Sequence, residues 1–109
     1  MRVLFDQSTP VPPRKYLNAH QIVTTFESGW GAFRNGDLLI RAEQEGFEVL
    51  VTTDQSLKYQ QNLSKRKIAI VVITTTSWPR IQKSIAAVGQ AVDSATVGSY
   101  FEVLISNSA

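Results

Sequence analysis

The chain has 109 residues, 43% hydrophobic and 18% charged, which fits one globular domain and argues against disorder. With 11 basic and 9 acidic residues the net charge is +2, too small a surplus to imply a nucleic-acid partner by itself. Cysteine is absent and His20 is the only histidine, so disulfide scaffolds, thiolate zinc sites, cysteine nucleophiles and multi-histidine metal centres are excluded.

Val3-Leu4-Phe5 is a short apolar run ending at Asp6 and reads as a buried first strand. Thr9 to Pro13 suits a loop leading into a short helix over 12–18, because proline fits the first helical turn. Gln21 to Phe26 carries Ile22, Val23, Thr24 and Thr25, which favour a strand, and Ser28-Gly29-Trp30-Gly31 breaks it. Asn35-Gly36-Asp37 marks a helix entrance, with Asp37 near the positive end of the helix dipole. Leu38, Leu39 and Ala42 form the apolar stripe of that helix, and Gly46 is its stop.

Phe47 to Thr53 is the third strand, followed at once by Asp54. A helix over about 55–63 would turn Leu57 and Leu63 inward. Ile68 to Ile73 is six apolar residues in a row, the pattern of a strand covered on both faces of a parallel sheet. Trp78, Ile81, Ile85, Val88 and Val92 recur at helical spacing and predict one helix over 78–95. Phe101 to Ile105 is a last strand, and Ser106 to Ala109 a frayed end.

Strands and helices therefore alternate along 1–109. The expected architecture is a single three-layer α/β/α domain with a mainly parallel sheet of about five strands. No apolar run approaches the roughly 20 residues of a membrane helix. The N-terminus opens on a strand pattern, without the features of a signal peptide. A soluble, cytoplasmic protein with no membrane partner is expected.

In such sheets ligands bind beyond the carboxyl ends of the strands. Asp6 follows the first strand, Asp54 the third, and Thr74 to Ser77 the fourth. Asp37 can reach the same edge. Three converging carboxylates would repel one another, and a hard divalent cation, Mg²⁺ or Mn²⁺, relieves that through oxygen ligation. The chemistry such a site suits is phosphodiester hydrolysis. Against this, Asp37 and Asp54 are also placed to cap helices. Asp6 is harder to assign to capping, since a charge directly after a buried strand is costly unless paired or solvated.

Thr52, Thr74, Arg34 and Arg80 are candidate substrate contacts beside that edge. Lys65-Arg66-Lys67 reads first as a solvated turn, and Trp78 as core. Trp30 and Phe33 either pack or meet a partner. No phosphate-binding glycine motif is present.

Three segments resemble a PIN-like family: Val3-Leu4-Phe5-Asp6-Gln7-Ser8-Thr9-Pro10, Asn35-Gly36-Asp37-Leu38-Leu39 with Ala42, and Leu50-Val51-Thr52-Thr53-Asp54. The resemblance implies a PIN-like fold and a Mg²⁺- or Mn²⁺-dependent ribonuclease, with Asp6, Asp37 and Asp54 as metal ligands and catalytic residues. It also implies toxins of VapC type, an antitoxin partner and a homodimer. The pattern departs from the family, which often uses four acidic residues. Here Gln7 and Gln55 stand beside the key aspartates, and only hydroxyls end the fourth strand. Two other readings remain open. One is a non-catalytic RNA- or protein-binding module on the same fold. The other is a receiver-like phosphoacceptor domain, which lacks here the acidic pair after the first strand and the lysine after the fifth.

Overall fold

The computed structural model describes residues 1–33, 35–55 and 66–105. Its elements are β1 (Arg2–Phe5), a 3₁₀ turn (Pro12–Tyr16), β2 (Gln21–Thr24), α1 (Asn35–Gln44), β3 (Val49–Thr52), β4 (Ala69–Ile73), α2 (Trp78–Lys83), α3 (Ile85–Asp93) and β5 (Tyr100–Val103). The five strands form one sheet in the order β2-β1-β3-β4-β5, and every pairing is parallel. Arg34, Lys65, the expected frayed end and all but Gln55 of the helix expected over 55–63 fall outside the described residues.

Both faces of the sheet are covered, which is why its strands are continuously apolar. Val3, Phe5, Val49, Val51, Val71 and Ile73 pack on one face with Leu17 of the 3₁₀ turn, Ile81 of α2, and Val88 and Val92 of α3. Leu4, Leu50, Ile70 and Val72 pack on the other with Leu38, Leu39 and Ala42 of α1. The α/β/α layering expected from the sequence is therefore present.

The connections have one unusual feature. The β1–β2 connection and the β4–β5 connection cover the same face but step across the sheet in opposite directions. They must be of opposite hand, so one of them runs against the strong right-handed preference. The result is that the 3₁₀ turn lies against α2 and α3, with Tyr16 beside Trp78 at 5.7 Å between ring centroids.

β3 begins at Val49 and β5 ends at Val103, inside their expected bounds, and two further differences have local causes. The helix over 78–95 is broken at Ser84, whose N–H bonds back to Ile81 O at 2.9 Å in a tighter i→i+3 turn. Serine competes poorly for a helix interior, and the break still leaves Ile81 and Val88 facing the sheet. β2 ends at Thr24 instead of Phe26, because Thr24 and Glu27 bond reciprocally. The Glu27 N–H reaches Thr24 Oγ1 at 3.1 Å and the Thr24 N–H reaches Glu27 Oε1 at 2.9 Å. That is the capping-box arrangement, and it turns the chain away from the ladder.

Candidate functional site

The strand order reverses at β1: the chain steps from β1 to β2 on one side and returns to β3 on the other. The crevice between the carboxyl ends of β1 and β3 is the switch point at which such sheets bind ligands. Asp6 follows β1 and Asp54 closely follows β3, so both lie beside it.

Asp6 is only 9% exposed. A carboxylate so placed needs hydrogen-bond donors, and the chain supplies them locally. Oδ1 accepts the Ser8 N–H at 3.1 Å, the Ser8 hydroxyl at 2.8 Å and the Thr9 hydroxyl at 2.7 Å. Oδ2 accepts the Thr52 hydroxyl from β3. The first two are the short-range bonds that aspartate makes in turns. The fourth crosses between strands and ties β1 to β3.

Thr52 is 1% exposed, and its oxygen also accepts the Asp54 N–H at 3.1 Å. A single hydroxyl thus joins the Asp6 carboxylate to the Asp54 backbone. Its burial makes Thr52 a positioning residue, turned to Asp6 and away from solvent. The Thr53 hydroxyl extends the network by donating to Ser8 Oγ at 2.8 Å.

Asp37 has a different setting. Asp37 is exposed in the first turn of α1, where it lines a shallow hollow with Phe33, Ile40, Arg41 and Gln44. Among the described residues, no three His, Asp or Glu side chains form a group that could hold a metal ion. Asp6, Asp37 and Asp54 do not form such a group. A helix-start aspartate is accounted for by the helix dipole alone.

The remaining candidates are dispersed. Thr74 Oγ1 accepts the Ile105 N–H at 2.8 Å and so fixes the end of β5. Arg80 is exposed on α2. His20 lies at the amino end of β2, where its ring bonds Asp93 at 2.6 Å, far from the switch-point edge. Trp30 and Phe33 pack against the α1-side core. A hollow of about 470 Å³ bounded by Met1, Phe47 and Val97 also sits at the amino edge, where no strand delivers a catalytic group.

Ser8 and Thr9 were not singled out by sequence reasoning, although Asp6-Gln7-Ser8-Thr9 has the spacing of an aspartate turn with following hydroxyls. No family model matches the chain, and neither does any curated protein or solved structure compared with it.

Proposed function

We propose that the chain is a metal-dependent ribonuclease of the PIN-like class, with its site at the β1/β3 switch point. The observation that carries this is the Thr52 hydroxyl, which links Asp6 to Asp54 at the edge where parallel sheets bind ligands. The order and spacing of the residues that resemble the PIN-like family point the same way.

The donor set fits a hard divalent cation. A carboxylate oxygen has two lone-pair positions, and Asp6 Oδ2 uses one on Thr52. Asp6 and Asp54 together offer the one or two carboxylates by which Mg²⁺ is commonly held, with water and substrate phosphate completing its shell. A cation held there supplies Lewis-acid stabilisation of the charge that develops on a phosphodiester under attack by water. The chain's own part is orientation. Ser8, Thr9 and Thr52 fix the Asp6 carboxylate before substrate arrives, and Thr52 sets where Asp54 begins.

A second reading has its own support. The donors around Asp6 Oδ1 account for the carboxylate structurally, as expected of a non-catalytic binding module on this fold. The two separate in one assay. Labelled single-stranded and structured RNAs are incubated with the protein in Mn²⁺, Mg²⁺ or EDTA, beside D6N and D54N. The nuclease reading expects cleavage that needs metal and is lost in both variants. No cleavage, together with no metal-dependent rise in melting temperature, contradicts it and leaves the binding module.

A further inference from the structure

β2 is one edge of the sheet. An edge strand presents backbone N–H and C=O groups to which another chain can pair. The hazard is concrete here. Gln21-Ile22-Val23-Thr24-Thr25-Phe26 has no charge, no proline and no glycine, and every residue after Gln21 favours strand. The ladder shows which backbone groups face outward. The Gln21 N–H bonds Met1 O and the Thr25 N–H bonds Phe5 O, both inward, so alternation turns Ile22 and Thr24 outward. Three of their four backbone groups are taken up by the chain itself. Arg14 Nη2 donates to Ile22 O at 2.7 Å, the Thr24 N–H donates to Glu27 Oε1 at 2.9 Å, and the Ser28 N–H donates to Thr24 O at 3.1 Å. Arg14 and Glu27 also join each other at 2.9 Å, so one ion pair spans the outward side of the strand.

We propose that the Arg14–Glu27 pair is a guard that closes the β2 edge to a second copy of this chain, which would otherwise add to it strand against strand. A second copy is the partner that the strand itself fits. Its uncharged residues would meet their own copies without opposing like charges. A two-fold axis would set the two β2 strands antiparallel, each offering the same outward N–H and C=O groups to the other. The setting of the ion pair argues against a role in stability alone. Its side chains are 38% and 45% exposed, and a pair so solvated contributes little to folding. What it does hold are Ile22 O and the Thr24 N–H, two groups that a neighbouring strand would need. Arg14 reaches them from the 3₁₀ turn and Glu27 from the turn after β2, so the guard joins segments that the ladder does not.

The test compares wild type with R14A/E27A, its folding verified by circular dichroism, in sedimentation velocity over a range of concentrations and in residue-resolved amide exchange. The variant should associate as concentration rises. Its Ile22 and Thr24 amides should exchange roughly tenfold more slowly once about nine-tenths of the chain is paired, because both N–H groups then bond the neighbouring strand. Wild type should exchange these two amides at the same rate at every concentration. If the double variant does not fold, R14A alone carries the test, since it uncovers Ile22 O and leaves the reciprocal Thr24 and Glu27 bonds in place. Reduced stability without association is the result expected of a purely structural ion pair, and it overturns the proposal. So does association that leaves Ile22 and Thr24 exchange unchanged, and so does wild type that slows both amides as concentration rises.

Discussion

Replacing Asp6 by asparagine keeps the shape of the side chain and removes its charge. Ser8 N–H, Ser8 Oγ and Thr9 Oγ1 donate to Oδ1 at 3.1, 2.8 and 2.7 Å. Asparagine can keep those bonds in neutral form. A hydrogen bond to a charged group contributes about 1.5–3 kcal/mol and a neutral one about 0.5–1.5 kcal/mol, so each weakens by about 1 kcal/mol. At the other oxygen the change is of kind. The amide nitrogen would face the Thr52 hydroxyl, which now donates to Asp6, and that hydrogen loses its acceptor. Because the bonds share one network their losses do not simply add, and the net cost expected is about 2–4 kcal/mol. Relief of repulsion between Asp6 and Asp54 acts in the opposite direction. Urea unfolding followed by the fluorescence of Trp30 and Trp78 reads the difference. With a slope of about 2 kcal/mol per molar for a domain of this size, the midpoint should fall by about 1–2 M. A D6N protein as stable as wild type, or more stable, would refute the claim that hydroxyl donors hold this carboxylate in place.

Other outcomes follow from the same geometry. T52V, close in shape at a buried position, should destabilise by about 2–3 kcal/mol in thermal unfolding, since it removes a donor to a carboxylate and an acceptor for Asp54 N–H. L39A should cost about 2–5 kcal/mol because Leu39 is fully buried against β1 and β3, whereas F26A should shift unfolding by no more than about 0.5 kcal/mol. The pKa of Glu27 lies below its ordinary value of 4.5, first because it accepts the Thr24 N–H and then through Arg14. Its contribution is therefore present above pH 4.5 and lost as pH falls through the lowered value, so wild-type and E27Q stability should converge in acid. D37N should leave Mn²⁺ binding unchanged, because Asp37 is exposed in the first turn of α1 and forms no three-member ligand group with Asp6 and Asp54.

The strands were legible in the sequence because a sheet covered on both faces demands unbroken apolar runs, and Val49-Leu50-Val51 and Ile68 to Ile73 supply them. Asp6 and Asp54 were legible from their place after β1 and β3. Asp37 was not separable from them, since a helix-start aspartate and a ligand look alike in sequence. In the fold Asp37 lines a shallow hollow with Phe33 and Arg41. The order of the strands, and the hand of their crossovers, depend on which helix covers which face, and local pattern does not record that. The end of β2 was misread because Thr25 and Phe26 favour strand. The competing signal was Thr24-Thr25-Phe26-Glu27, whose capping-box spacing marks the turn that displays Phe26. Ser84 broke the long helix without disturbing its apolar periodicity, so the period alone could not locate the break.

The most direct test of the two-carboxylate site is a Mn²⁺ titration of wild type, D54N and T52V, read by the loss of free-ion electron paramagnetic resonance signal, with folding verified by circular dichroism. The reading of Asp6 and Asp54 as joint ligands predicts one bound Mn²⁺ in wild type, loss of binding in D54N and weakened binding in T52V. Folded wild-type protein that leaves all the Mn²⁺ free, or D54N that binds it as wild type does, would contradict that reading.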